Sequence, residues 1–209
     1  MDEANTPAQP LAIRIDTPNL YLRTLTVNDA SPQWLAWFGQ TDIRDGLNLA
    51  DAPASLAEVA AYIGKYDQRS NIILGIFDRT NDLLLGILAT QVDWDKARYL
   101  ANTFVGETAY RNRGVMLEVA APFRDYFFDT LNLKVMTATA LATNEPIISY
   151  LRKTGWTLNR TLKNHTRSHK DGTMVDLHLY SITREAWHAW KAANPELLAA
   201  MRQGAMRES

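Results

Sequence analysis

The sequence predicts a single α+β domain built around a mixed sheet. Seven short segments show the apolar and polar alternation of strands, and segments with helical spacing separate them. The 209 residues are 46% hydrophobic and 22% charged, which is typical of a globular chain that buries a full core. Only strands that flank a crossover helix need be parallel, so most pairs should be antiparallel. We expect a leader over residues 1–15, one domain over 16–185 and a helical tail over 186–209.

The first half of the chain predicts two helices and four strands. Residues 28–32 offer helix-start residues ahead of four apolar side chains at helical spacing, and Ser55 with Glu58 forms a capping box for a second helix. Residues 79–82 form a polar turn that predicts an antiparallel hairpin. The predicted strands of this half are 20–26, 72–78, 83–94 and 98–105.

The second half predicts a crossover helix, a short strand, another helix and a final hairpin. Apolar residues over 115–127 share one helical face, and Pro122 within them predicts a kink or a break. Asn144 is placed to cap the next helix, which Gly155 ends. The remaining predicted elements are strands at 134–141, 156–162 and 173–182, and a helical tail from Thr183 that is interrupted at Pro195.

Charge and composition exclude several classes of function. The 22 basic and 23 acidic residues give a net charge of −1, so neither a nucleic acid nor an anionic membrane is an expected partner. The absence of cysteine excludes disulfides, thiolate metal sites and a cysteine nucleophile. The first ten residues lack the basic start and apolar stretch of a signal peptide, so we expect a cytoplasmic protein.

Residues 104–116 predict an anion site. A strand ends here, a loop carrying Arg111 and Arg113 follows, and a helix begins at Gly114. Unpaired amide N–H groups at a helix start and two guanidinium groups would then converge, an arrangement that suits a diphosphate. The same pattern also occurs in ordinary architecture without a ligand.

Two motifs make the chain resemble the GCN5-related N-acetyltransferase superfamily. Arg111-x-x-Gly114 matches the start of its acetyl-CoA loop, although Met116 stands where the family has a small residue. One strand and one helix later, Asn144 is followed by a Lys-x-Gly-aromatic pattern at residues 153–156. The resemblance covers about residues 20–182. Glu118 and the segment from Asp171 to Ile182 resemble the corresponding parts of the branch that includes the ribosomal-protein N-terminal acetyltransferases.

The resemblance implies a fold and a cofactor. The fold would be a mostly antiparallel seven-stranded sheet flanked by helices, in which a splayed parallel strand pair holds acetyl-CoA as acyl donor, without a metal. The diphosphate would lie over the loop, the pantetheine arm beside the strand ending at Val105, and a homodimer is compatible with the family. The implied cofactor-binding residues are Phe104, Val105, Arg111, Asn112, Arg113, Gly114, Val115, Met116, Asn144 and Lys153.

The chemistry requires an amine that has lost its proton. An alkyl ammonium has a pKa of about 10.4, so presenting it neutral at pH 7 costs roughly 4.6 kcal/mol. Direct attack on the thioester, helped by a base, is the simplest route without cysteine. Glu107 and Asp176 are the candidate bases, together with His178, which lies on the same strand face as Asp176. That face could line the acceptor cleft or be the wetted side of a strand, and Glu107 could be an ordinary loop carboxylate.

The proton donor and the acceptor are less directly indicated. Ile147 and Leu151 occupy positions at which many relatives place a hydroxyl, so Tyr150 is the candidate acid in a shifted register. Trp34 and Trp37 are candidates for an acceptor wall, with core packing as the alternative. We expect an N-acetyltransferase for a small amine such as an amino sugar, an antibiotic or a polyamine. The alternatives are a protein N-terminus as acceptor, and a catalytically silent CoA-binding sensor or interaction module.

Overall fold

The computed structural model describes residues 6–48, 51 and 53–202, and within them one eight-stranded sheet. The strand order is β1-β2-β3-β4-β5-β6-β8-β7, and every neighbouring pair is antiparallel except β5 and β6. The mixed, mostly antiparallel α+β sheet is therefore confirmed. The strands are β1 (Arg14–Asp16), β2 (Leu20–Thr24), β3 (Asn71–Asp78), β4 (Leu84–Asp93), β5 (Arg98–Val105), β6 (Val135–Leu141), β7 (Thr157–Arg167) and β8 (Met174–Thr183).

The strand that the sequence analysis missed is β1. It has three residues and pairs with β2 through Ile15 and Leu22. Three residues are too few to show alternation, so the predicted number of seven strands was wrong by one. Because β1 begins at Arg14, ordered structure also extends into the range 1–15 assigned to a leader.

Seven α-helices lie around the described part of the sheet. They are α1 (Pro32–Phe38), α2 (Thr41–Leu47), α3 (Leu56–Ile63), α4 (Val115–Asp125), α5 (Glu145–Lys153), α6 (Arg184–Ala193) and α7 (Pro195–Arg202). Pro122 does not break α4, which continues to Asp125 and then widens into a π-helical turn at Tyr126–Thr130. The tail is interrupted at Pro195, as predicted, but Trp187 and Met201 are buried in the same core as the rest of the domain.

The sheet carries a hydrophobic core on each face. Helices α1 to α3 cover one face, where Trp34, Trp37 and Phe38 pack against Ile73 and Phe77. Helices α4 to α7 cover the other face. Strand β3 contributes to both cores, since Ile72 and Ile73 are fully buried on opposite sides, and this explains its continuous apolar sequence.

The sheet opens into a gap where β5 and β6 diverge. Their parallel pairing covers three positions, from Arg98 opposite Val135 to Leu100 opposite Thr137. Beyond these positions β6 stays paired with β8 as far as Leu141, while β5 stays paired with β4. The facing edges of 101–105 and 138–141 are therefore left apart, which gives the splayed parallel pair that the resemblance implied.

Candidate functional site

A cavity of about 750 Å³ opens at the gap between β5 and β6. The two strands supply one wall through residues 101–105 and 138–141, and α2, α3 and the β7–β8 hairpin enclose the rest. Four aromatic side chains line it, together with the carboxylates of Asp42 and Asp51. The aromatic residues are Phe38, Tyr62, Tyr66 and Phe104.

The loop between β5 and α4 presents free backbone donors. The amides of Tyr110, Arg111 and Arg113 are bonded within the loop, to carbonyls of Glu107, Thr108 and Tyr110. In contrast, no described group accepts a hydrogen bond from the amides of 112 and 114–117. Gly114 has a φ of 74°, a left-handed conformation that turns the chain directly into α4. A cluster of unbonded N–H groups at a helix start suits an anion.

Arg111 does not point freely toward this anion site. Its Nε donates to the carbonyl of Val105 at 3.0 Å, and one Nη donates to the carbonyl of Gly106 at 3.0 Å. The guanidinium also contacts the side chains of Gln40 and Asp42. Arg111 therefore joins the end of β5 to the α1–α2 segment, and the exposed Arg113 is the loop cation left available to a ligand.

Two buried carboxylates fix the loop and the helix that follows it. Asp78 accepts hydrogen bonds from the Tyr110 hydroxyl at 2.9 Å and from the amide and hydroxyl of Thr80. Burial would raise the pKa of Asp78, but these hydrogen bonds outweigh it and lower that pKa. Glu118 accepts from the Thr17 hydroxyl and the Leu20 amide and so ties α4 to the β1–β2 turn.

The proposed bases lie outside the cavity wall. Glu107 is half-buried and accepts from Gln33 Nε2 at 3.0 Å. Asp176 binds Lys163 Nζ at 2.7 Å and the amide of Asn164 at 2.9 Å. Leu177, rather than Asp176 or His178, is the β8 residue that lines the cavity. The polar face of β8 therefore does not line the cavity, because it is the face on which Tyr180 is buried in the core, on the opposite side of the sheet from Leu177.

His178 lies against β7, and the two predicted cofactor residues at the ends of α5, Asn144 and Lys153, differ in whether they reach the cavity. The His178 ring lies 2.9 Å from the Thr161 hydroxyl of β7. Asn144 both lines the cavity and caps α5, where its side chain accepts from the amide of Ile147. Lys153 is exposed at the far end of the same helix and does not line the cavity.

Tyr150 lies in a second, smaller cavity of about 50 Å³ between α4, α5 and the splayed strands. Its hydroxyl accepts from the buried guanidinium of Arg124 at 3.1 Å. Arg124 also lies over the Trp187 ring, 4.7 Å from its centroid, so its guanidinium joins α5 to α6. Ala101, Thr103, Ala138 and Ile147 line both cavities, which therefore abut at the gap between the strands.

Trp34 and Trp37 belong to the core rather than to the cavity wall. Both are almost completely buried, and neither lines the large cavity. A Cβ on Gly106 would lie 2.0 Å from the Trp37 indole, so Trp37 packs directly on the backbone that leaves β5. Trp34 and Trp37 therefore follow the alternative interpretation, in which they pack in the core.

The aromatic wall of the cavity contains a pair of coupled tyrosines. The hydroxyls of Tyr62 and Tyr66 lie 2.9 Å apart. Burial, and then the hydrogen bond with Tyr62, raise the pKa of Tyr66 far above its ordinary value. Tyr66 is therefore a neutral hydrogen-bonding group at any physiological pH.

The described residues hold neither a membrane-spanning helix nor a cluster of metal-binding side chains. No helix in the described ranges has the length and apolar character needed to cross a membrane. Among those same residues, no three His, Cys, Asp or Glu side chains come together as a metal site would require.

Comparisons with known proteins agree with this geometry. The model of the acetyltransferase (GNAT) domain matches residues 19–157. No match was found among curated protein sequences. Among solved structures, a GCN5-related N-acetyltransferase from Brucella melitensis superposes with a TM-score of 0.75 at 17% identity, over 96% of this chain and 90% of that one.

Two further structures share the fold. A ribosomal-protein-S5-alanine acetyltransferase from Vibrio fischeri gives a TM-score of 0.66 at 13% identity, over 84% of this chain and 98% of that one. A spermidine N-acetyltransferase chimera that includes the Vibrio cholerae enzyme gives 0.67 at 15% identity, over 81% and 98%. These identities establish the fold alone. The family match extends over well more than half of the chain, and it includes the loop, the splayed strands and the start of α5; the chain therefore belongs to the GCN5-related N-acetyltransferases.

Proposed function

We propose that this N-acetyltransferase transfers the acetyl group of acetyl-CoA to a small primary amine. The observation that carries the proposal is the large cavity, which runs from the gap between β5 and β6 to an aromatic and acidic pocket. A cavity of this size is in the range of small-molecule sites.

The residues present fit the donor. The unbonded amides of 112 and 114–117 would accommodate its diphosphate, with the exposed guanidinium of Arg113 beside them. The open edges of 101–105 and 138–141 offer backbone groups to the pantetheine arm. When bound, acetyl-CoA supplies an acetyl group activated as a thioester.

Cavity residues would hold the amine and lower the cost of its deprotonation. The aromatic walls desolvate the ammonium group, which lowers its pKa, and the Tyr62 and Tyr66 hydroxyls can hydrogen-bond the neutral amine. Asp51 lines the cavity with an exposed carboxylate and is the first candidate to pass the proton to solvent. Glu107 and Asp176 are less suited, since neither lines the cavity.

A dedicated proton donor is not required for the leaving group. A thiolate is a far better leaving group than a deprotonated amine, so the tetrahedral intermediate can expel the thiolate, which then takes a proton from solvent. Ile147 and Leu151 are therefore compatible with turnover. We assign Tyr150 no obligatory role, since its hydroxyl is bonded to Arg124.

The test is release of free thiol from acetyl-CoA over a panel of small amines and peptides with free N-termini. Thiol release with a small amine is expected. Binding of acetyl-CoA without thiol release on any acceptor would overturn the proposal and favour a sensor, and release with peptides alone would favour a protein N-terminal acetyltransferase.

A matched pair of proline variants tests the cofactor loop. Met116→Pro removes one free amide at the second position of α4, a position at which α5 accommodates Pro146, and should weaken acetyl-CoA binding by about tenfold or more. Ala57→Pro makes the same change at the second position of α3 and should leave that affinity unchanged. Calorimetry measures both affinities, and thermal unfolding checks that each variant is folded.

A further inference from the structure

The end of α2 and the tip of the β7–β8 hairpin meet beside the large cavity. Asn48 Nδ2 donates to the carbonyl of Arg167 at 3.0 Å, and the amide of His169 donates to Asn48 Oδ1 at 2.8 Å. Lys170 Nζ lies 3.7 Å from an Asp45 carboxylate oxygen. We call this set of contacts the clasp. It joins segments about 120 residues apart in the chain.

The clasp forms part of the cavity wall. Leu47 and Asn48 line the cavity from the side of α2, and Thr166 lines it from the side of the hairpin. Asn48 satisfies one donor and one acceptor of the hairpin backbone with a single side chain, which is an arrangement that an aliphatic side chain cannot replace. Its φ of 51° is left-handed, and asparagine is among the few residues that adopt this conformation readily.

A bulge in β7 brings the hairpin tip into place. Leu162 pairs with Leu177 and Thr166 pairs with Val175, so three residues of β7 stand opposite Asp176 alone. The Asp176 carboxylate binds the first two of these residues, through Lys163 Nζ and the amide of Asn164. Bulges bend a strand and increase its twist. Asp176 is therefore a positioning residue for the hairpin.

We propose that Asn48 is a specificity-determining residue for acceptor size, because its clasp closes the cavity to polypeptides and retains small amines. The inference rests on the acetyl transfer proposed above. A polypeptide acceptor needs an open groove along which its chain can lie, whereas a small amine needs only a pocket that encloses it. Loss of the two Asn48 hydrogen bonds would open the cavity without altering the cofactor loop.

The experiment compares the wild-type enzyme with Asn48→Gly, which removes the side chain and keeps the left-handed backbone. Asn132→Gly is the matched control, since Asn132 is an exposed, left-handed asparagine between α4 and β6. Each protein is assayed with the best small amine of the panel and with an unstructured decapeptide that has a free N-terminus. Hydrogen exchange at the His169 amide reports directly on the clasp.

The expected result is a shift of relative kcat/KM toward the decapeptide by about tenfold or more in Asn48→Gly, with faster exchange at His169 and unchanged acetyl-CoA affinity. Asn132→Gly should match the wild-type enzyme. An unchanged ratio despite faster exchange, or slow exchange that persists without Asn48, would overturn the inference while leaving acetyl transfer intact. Absence of thiol release from the wild-type enzyme with any acceptor would instead refute the proposed function.

Discussion

The two halves of the site are built in different ways. The proposed cofactor loop lies within one continuous stretch, and the groups that it offers to a ligand are unbonded backbone amides at 112 and 114–117. The proposed acceptor cavity collects side chains from four helices, three strands and the β7–β8 hairpin. The first half depends on the path of the backbone, whereas the second depends on contacts between distant segments.

This difference changes what a side chain near the ligand is expected to do. In the loop, Arg111 and Tyr110 hold the backbone in place through Val105 and Asp78, so their side chains act on the shape of the loop. In the cavity, Phe38, Tyr62 and Tyr66 are themselves the contact surface. Substitutions should therefore separate the two halves, except where one residue belongs to both.

The largest effect is expected at Ala138, which lines both cavities at the gap between the strands. Ala138→Trp would fill the gap with a large ring and should lower acetyl transfer by about 100-fold or more, since a tryptophan side chain adds roughly 150–250 Å² of surface. Ala192→Trp, on the exposed face of α6, is the control and should retain activity. Thiol-release assays measure the rate of acetyl transfer, and calorimetry measures the affinity for acetyl-CoA. Full activity in Ala138→Trp would contradict the proposed positions of both ligands.

An intermediate effect is expected at Arg111, because it joins the halves. Arg111→Ala removes the contacts with Val105, Gly106, Gln40 and Asp42 and should reduce both acetyl-CoA affinity and acceptor kcat/KM by about tenfold each. Arg113→Ala, two residues away, should weaken only acetyl-CoA binding, and by less at high salt. Calorimetry at two salt concentrations gives the acetyl-CoA affinity of each variant, and acceptor kinetics give its kcat/KM. If the two variants behave alike, Arg111 contacts the diphosphate after all.

The sequence predicts the loop better than the cavity for a physical reason. A strand end, two arginines and Gly114 lie within a few residues, and local spacing is enough to expose the amides. The acceptor wall was predicted at Trp34 and Trp37 on the same helix as Phe38, but helical spacing alone does not tell which aromatic residue faces the core. Phe38 is the residue of the three that lines the cavity.

Contacts across long sequence separations had no local signal. The polar alternation on β8 correctly places Asp176 and His178 on one face, but the packing of the whole sheet decides that this is the face on which Tyr180 is buried, while Leu177 on the other face lines the cavity. Asn48 likewise gives no sign in the sequence of a partner at Arg167. Strand β1 was missed because its pairing with β2, rather than its own pattern, makes it a strand.

The smallest effect is expected at Asp176, where the two explanations of its role diverge most clearly. Asp176→Asn keeps an acceptor for the Asn164 amide and loses the ion pair with Lys163, so acceptor KM should rise no more than about fivefold while kcat is retained. A general base would instead contribute about 10²- to 10⁴-fold to kcat.

The Lys163 ammonium and the Asn164 amide lower the pKa of Asp176. A lowered pKa in the folded state means that the anchor persists as pH falls and is lost only below the ordinary aspartate range of about 4. The acceptor KM of the wild-type enzyme should therefore show no inflection from Asp176 between about pH 5 and 8. The pH profile of kcat should be the same in Asp176→Asn as in the wild-type enzyme. If kcat of the variant no longer fell at acidic pH, Asp176 would be the base, and the acceptor half of the site would have to be placed around it.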